Sequence, residues 1–425
     1  MNMKVTKAAS IRGDIRPPSD KSITHRAYMI ASIARGDSVI KNPLRGEDCE
    51  ATRRCLEQMG LHSEETAPNE IRLKPAREWS QPSTPLDCGN SGTTMRLLSG
   101  LIASRDLDCT LIGDDSLSMR PMRRIAAPLQ QMGATVEGDT PPLHIKGRND
   151  LTAINYTTPV ASAQIKSCVL FAGLRANGTT TVREPSPSRD HTERMLTAAG
   201  VHIGHDPSGI TVKGGSQPNG FEIDVPADIS SAAFFMVAAA MLPESAVIFK
   251  DLGVNPLRTG ILDVFADAGI PFWLGDESKQ LGEPVKHLRV LTAPALRSFR
   301  IEGDIVPRLI DEIPVLAVLA TQCYGVTEIR DAKELRVKES DRIESIAAGL
   351  RAMGAKIETF EDGMAITGPV KLKGTMIEAK GDHRLAMAFA IAGLVAEGTT
   401  EIEGAEAIQT SFPNFEKELW RMCIV

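Results

Sequence analysis

Five helix-like stretches of this chain each end in glycine and run on into a short alternating strand. They are Leu56-Glu-Gln-Met-Gly60, Leu129-Gln-Gln-Met-Gly133, Met195-Leu-Thr-Ala-Ala-Gly200, Val264-Phe-Ala-Asp-Ala-Gly269 and Leu350-Arg-Ala-Met-Gly354. The intervals between the glycines are 73, 67, 69 and 85 residues. Glycine is the residue that enters a left-handed helix cap without a Cβ penalty, so any one of these is weak evidence. Five at near-constant spacing mark a repeated α/β unit, and 425 residues leave room for six of them.

The following strands alternate: Ile71-Arg-Leu-Lys74, Leu143-His-Ile-Lys146, Ile210-Thr-Val-Lys213 and Met364-Ala-Ile-Thr367. Such strands set one face on a core and the other in water. The segments Ser230 to Leu242, Ile313 to Ala320 and Leu385 to Ala396 are apolar nearly all round, as buried helices are. The expectation is an α/β protein with helices inside and sheets outside. Its length exceeds what one core supports, so two domains are expected. Arg16-Pro-Pro-Ser19 and Pro226-Ala-Asp-Ile229 are the candidate crossings. Residues 1–18 and 227–425 then form one discontinuous domain of three units, and 19–226 the other.

A net charge of −6 and 4% aromatic residues argue against a nucleic-acid surface. Seven cysteines are scattered without Cys-x-x-Cys or histidine partners at ligand spacing, which suits free buried thiols and no metal. The longest apolar run, Ala232 to Leu242, is too short to span a bilayer. A soluble cytoplasmic protein is expected, with neither membrane nor nucleic acid as partner.

The cations that matter therefore act locally, and they gather at helix starts. Pro18-Ser-Asp-Lys-Ser-Ile-Thr-His-Arg26 opens an apolar-faced helix, with Ser22 and Arg26 four apart and Lys21 at the positive end of the dipole, the makings of an anion site. Asp87-Cys-Gly-Asn-Ser-Gly-Thr-Thr-Met-Arg96 is a small-residue loop entering a helix at Met95; Asn90, Ser91 and Thr93 offer hydrogen bonds, and the Gly-Lys-Ser/Thr ending of a P-loop is missing. Ser116-Leu-Ser-Met-Arg-Pro-Met-Arg-Arg124 supplies arginines around a proline, and Ala161-Ser-Ala-Gln-Ile-Lys166 opens another apolar helix. Asp382 is a fit N-cap, yet Arg384 in the same first turn opposes the dipole and wants an anion.

Leu335-Arg-Val-Lys-Glu-Ser-Asp-Arg-Ile-Glu-Ser345 is the densest of these segments. Ser340 or Asp341 caps a helix here, and Lys338 and Arg342 share a face if the turn between them is helical. Glu339 then sits among cations. Asp311 and Glu312 stand together before Ile313; capping explains one carboxylate and leaves the other as a candidate base. Cations with a few acids at helix starts describe a site for two small polyanions.

These segments together resemble the EPSP synthases, a family of enolpyruvyl transferases. The resemblance runs in order along the chain: Lys21-Ser22 with Arg26, Gly89-Asn-Ser-Gly-Thr93, Arg120-Pro121, Ser162-Ala-Gln164, Asp311, Arg336-Val-Lys-Glu-Ser-Asp-Arg342, Asp382-His-Arg384 and Ser411-Phe-Pro413. It implies two similar domains, each of three βαβαββ units arranged as an inside-out α/β barrel, with the active site in the cleft between them. It implies transfer of the enolpyruvyl group of phosphoenolpyruvate to the 5-hydroxyl of shikimate 3-phosphate. Phosphate leaves through a tetrahedral intermediate on the route to chorismate and the aromatic amino acids, and no cofactor or metal takes part. By position, Ser22, Arg26, Ser162, Gln164, Arg189 and Lys338 are expected to hold shikimate 3-phosphate; Lys21, Gly92, Arg120, Arg342 and Arg384 are expected to hold phosphoenolpyruvate. Asn90, Thr93 and Ala163 complete the lining. Asp311 takes the hydroxyl proton, while Glu339 with Lys21 exchanges the methylene proton.

Two departures stand out: Thr410 where some relatives carry lysine, and Ala163 where many carry a second serine. Gly92 leaves room for glyphosate, so sensitivity to that inhibitor is expected. A monomer is expected. The sister transferase acting on UDP-N-acetylglucosamine is the nearest alternative, but its reactive loop cysteine is missing, with Asp114 and Asp115 standing in that loop. A nonenzymatic phosphate- or RNA-binding module is a second, opposed by charge and aromatic content.

Overall fold

The computed structural model describes residues 2–207 and 209–424. The chain divides into two compact units. One holds the residues up to Pro18, Ala227–Ser278 and those from Pro284 onward; the other holds Ser19–Pro226 and Lys279–Glu283. The chain therefore passes between units four times rather than the two expected, because five residues after Ser278 join the second unit.

In the second unit three four-stranded sheets share one topology. In one, Asn155–Thr157 runs parallel to Thr179–Arg183, which pairs antiparallel with Gly209–Lys213, itself antiparallel to Ile203–Asp206. The others are built likewise on Leu86–Asp87 and Asp108–Ile112, and on Glu222–Asp224 and Ser38–Lys41. In the first two of these sheets a helix joins the parallel pair, a strand–helix–strand crossover, whereas Glu222–Asp224 returns from the far end of the unit to lie beside Ser38–Lys41; the last antiparallel pair of each sheet is its closing hairpin. The first unit repeats the pattern with Arg300–Ile301 and Gly325–Ile329, and with Ser10–Ile15 and Ala246–Gly253. Its third sheet joins the two ends of the chain, Asn2–Thr6 lying antiparallel to Thr399–Glu403 in the register Met3↔Ile402.

All five repeat glycines have positive φ, from 77° at Gly269 to 106° at Gly133. At each, the residue after the glycine donates its N–H back to the carbonyl five residues earlier: Leu61 to Leu56, Ala134 to Leu129, Val201 to Leu196, Ile270 to Phe265 and Ala355 to Leu350, at 2.9 to 3.1 Å. That is the Schellman closure, and each bond joins two buried apolar residues.

The helices expected to be apolar all round are buried. Every residue of Ile313–Ala320 and His383–Gly393 is buried, as is Ile229–Met241 up to Ala240. Each unit has its own hydrophobic core built around such helices. In the second unit Gly92–Ala103 packs on Ala163–Gly173 so closely that a Cβ on Gly100 would lie 2.1 Å from the Cys168 carbonyl oxygen. Gly100→Ala should therefore force these helices apart and cost about 1–3 kcal/mol of stability. A shift in the urea midpoint measures it, and an unchanged midpoint would show that this contact yields freely. Among the described residues no helix is long and apolar enough to cross a membrane.

Candidate active site

Each helix that carries candidate cations begins with a side-chain cap. Asp20, Ser91, Ser162, Asp341 and Asp382 accept the backbone N–H of Ile23, Thr94, Ile165, Glu344 and Arg384 at 2.8, 3.0, 3.4, 3.1 and 2.9 Å. The first turns are thus fixed with their positive ends toward the same side chains that carry positive charge. This arrangement is unfavourable unless acids or a bound anion answer it.

In the second unit the starts of Lys21–Ser32, Glu47–Gln58, Gly92–Ala103, Ala163–Gly173 and His191–Ala198 are stitched together. Lys21 Nζ lies 3.0 Å from Asp48. Thr94 Oγ1 donates to the Asp48 carbonyl at 3.2 Å, and Gln164 Nε2 donates to Thr93 Oγ1 at 3.1 Å. Arg96, at the end of the glycine loop, donates to Gln164 Oε1 at 2.7 Å. Arg120 is 7% exposed and donates to Asn90 Oδ1 at 2.5 Å and Ser116 Oγ at 3.1 Å, while Asn90 is held by Asp114 at 2.7 Å. Gly92 lies in this cluster, where a Cβ would meet Arg96 Nη1 at 3.2 Å and Arg120 Nη1 at 3.4 Å.

Arg26 is 2% exposed and donates to Thr192 Oγ1, Ser167 Oγ and the Ser22 carbonyl at 2.8, 2.9 and 3.0 Å. All three acceptors are neutral. Burial, acting against the more distant charges of Glu193 and Asp20, draws Arg26 down to about 10. Arg189, half-buried, adds a like charge close enough to push in the same direction. His25 on the same helix is fully buried, with Nδ1 2.6 Å from Thr52 Oγ1; burial first, then Lys21 and Arg26, holds it well below its usual value.

In the first unit Arg342, 1% exposed, is ringed by carboxylates. Nε donates to Asp382 at 2.8 Å, Nη2 to Glu339 at 2.6 Å and Nη1 to Asp311 at 3.3 Å. Burial opposes its charge, but Asp382 and Glu339 overcome this and raise Arg342 above its usual value. Asp382 is itself held below the usual carboxylate range: burial is the largest influence and pushes it up, but the Arg342 charge and hydrogen bond, with His383, together outweigh it. Lys338 Nζ and Arg384 Nε each lie 3.8 Å from Asp311 Oδ1.

Several local expectations change. Lys338 is extended, and the helix begins only at Arg342, so the two cations meet at Asp311 rather than along a helix face. The glycine-loop helix starts at Gly92, three residues before Met95, because Ser91 caps it. Neither Asp311 nor Glu312 caps the helix Ile313–Ala320; Glu312 is buried against Ser230 Oγ, and Asp311 collects cations. Lys166 is consumed internally by Glu184 at 2.7 Å and Glu193 at 2.8 Å. Asp48 and the anchoring of Arg342 by Asp382 were not foreseen. The acidic first turn Glu47-Asp48 beside a lysine-led helix is the only trace of the former.

A guanidinium among carboxylates in one unit, and a cage of cations and hydroxyls in the other, fit the handling of small phosphorylated acids. The model of EPSP synthase (3-phosphoshikimate 1-carboxyvinyltransferase) matches residues 5–419. A 3-phosphoshikimate 1-carboxyvinyltransferase of Bacillus cereus (strain G9842) is 47% identical over 418 residues, 97% of each chain; one of Bacillus licheniformis is 44% identical over 426 residues, 99% of each. A solved EPSP synthase from Acinetobacter baumannii superposes with a TM-score of 0.89 at 40% identity, over 100% of this chain and 98% of that one. With the helix-start cations and the match running almost end to end, this chain belongs to the EPSP synthase family.

Proposed function

We propose that this protein transfers the carboxyvinyl group of phosphoenolpyruvate to the 5-hydroxyl of shikimate 3-phosphate and releases phosphate. The observation that carries the reading is the Arg342 cluster. Each of its three guanidinium nitrogens donates to a carboxylate. A phosphoenolpyruvate oxygen that takes an Arg342 N–H from Glu339 or Asp311 leaves that carboxylate free to move a proton. Asp382, fully buried, keeps its hold and fixes the guanidinium. Asp311 takes the hydroxyl proton; Glu339 and Lys21 exchange the methylene proton; Lys338 and Arg384 offset the charge around Asp311. Arg26, Ser22, Ser162, Gln164 and Arg189 hold shikimate 3-phosphate, and Arg120 with the Asn90–Thr93 loop holds the second anion beside it. Fixed cations remove much of the entropic cost of bringing two like-charged substrates together.

The same reading takes each unit as an inside-out α/β barrel of three βαβαββ repeats, supported by the buried helices and half-exposed strands. Cytoplasmic location and a monomeric state remain part of the proposal. The test is phosphate release: it should occur only when both substrates are supplied, and release with phosphoenolpyruvate alone would contradict the transfer.

Glyphosate should inhibit by occupying the phosphoenolpyruvate position beside Gly92. A methyl there presses on Arg96 and Arg120 at 3.2 and 3.4 Å, so Gly92→Ala should weaken inhibition by about tenfold or more, equivalent to about 1.4 kcal/mol. The KM for phosphoenolpyruvate should rise with it. Unchanged inhibition would remove the inhibitor from this position.

A further inference from the structure

The helices whose starts carry the second unit's cations end at a different feature. A cavity of about 590 Å³ opens where Lys21–Ser32, Gly92–Ala103 and Ala163–Gly173 finish, with Ser32, Leu101 and Leu174 on its wall. Twelve residues of helix put it roughly 18 Å from the capped starts. Its volume lies in the range of small-molecule sites.

Two arginines on this wall are only partly used. Arg105 Nη1 donates to the Leu101 carbonyl at 2.6 Å and to Ser104 Oγ at 3.2 Å, and its guanidinium stacks over the Trp79 ring at 4.0 Å. Arg175 Nε donates to the Ser104 carbonyl at 3.1 Å and Nη2 to Asn149 Oδ1 at 3.3 Å. Capping of helix ends explains those bonds. It leaves Nε and Nη2 of Arg105 and Nη1 of Arg175 without a partner, and neither arginine is ion-paired among the described residues. Burial first, and the Arg175 charge second, draw Arg105 down to about 9, and both arginines hydrogen-bond Ser104, which makes the two cations neighbours. Glu78 and Asp106 also stand on the wall, but both are exposed, whereas Arg105 is half-buried. The half-buried Trp79 ring is the accessible apolar surface beside the guanidinium pair, and the buried Phe171 and Leu107 lie behind it.

We propose that this cavity is a second binding site, for a small aromatic carboxylate. Its carboxylate bridges the spare donors of Arg105 and Arg175, and its ring lies against Trp79. Guanidinium donors suit a planar carboxylate, and the apolar wall separates such a ligand from bare inorganic anions. The site does not depend on the reaction proposed above.

Calorimetric titration of the full-length protein with benzoate tests it, with benzyl alcohol and inorganic phosphate as controls. Saturable benzoate binding is expected, at least about tenfold tighter than either control. Arg105→Gln and Arg175→Gln should each weaken it by a similar factor. Arg175 is exposed, so its variant should remain folded even if the Arg105 variant does not. No benzoate binding to the parent protein, equal binding by the Arg175→Gln variant, or phosphate binding as tight as benzoate would each overturn the assignment.

Discussion

Replacing Glu339 by glutamine should reduce turnover by about 10²–10⁴-fold, or about 2.7–5.4 kcal/mol of transition-state stabilisation, while shikimate 3-phosphate binds as before. Glutamine still accepts the Arg342 N–H that Glu339 accepts at 2.6 Å, so the cluster keeps its geometry and loses only a proton carrier. Steady-state phosphate release gives the first quantity and calorimetry the second. Glu339→Ala should show the same loss of turnover while freeing one Arg342 N–H, so phosphoenolpyruvate should bind no more weakly than to the parent. Retained turnover in both variants would move proton transfer elsewhere. Loss of shikimate 3-phosphate binding would make Glu339 a structural residue.

Removing the cation at the centre of that cluster should be the most damaging change to stability. Arg342→Met leaves Asp382, with no exposed surface, and Asp311 and Glu339, with side chains 12% and 20% exposed, without their common partner. Stranding buried charge in this way costs about 3–5 kcal/mol. The sign of the pH dependence should also reverse. In the parent, Asp382 lies below its ordinary value, so its contribution is present above the unfolded value near about 4 and is lost as pH falls through the lower folded value. Without Arg342, burial and the Glu339 charge should outweigh His383 and the remaining hydrogen bonds to Asp382 and raise it. The variant is then penalised at neutral pH and recovers stability as pH falls toward the raised value. Denaturant midpoints at pH 7 and pH 5 measure this. A variant that loses stability in parallel with the parent on acidification would show that Asp382 keeps its charge by other means.

Much of the fold was legible because its signals are local. A Schellman glycine needs only its own φ and the five residues before it, and Gly60, Gly133, Gly200, Gly269 and Gly354 all met that requirement. Asp341 and Asp382 cap for the same reason: acceptor and N–H are two or three residues apart. Burial of Ile313–Ala320 was written in a run without a polar face. Local rules failed where an alternative partner lay far off in sequence. Capping accounts for one of Asp311 and Glu312 on a linear reading, yet their partners come from Arg342 and Ser230.

The chain by itself determined the repeat, the helix ends and the set of side chains able to bind anions, since each depends on groups a few covalent bonds apart. Only the tertiary structure decided that Arg342 is gripped by Asp382, 40 residues on, that Lys21 meets Asp48, that Arg26 rests on Ser167 and Thr192, and that Lys279–Glu283 joins the second unit. These depend on how buried helices pack against one another. That packing is settled by shape, as at Gly100 against the Cys168 carbonyl, and by the cost of leaving a buried charge unanswered, neither of which a linear pattern records.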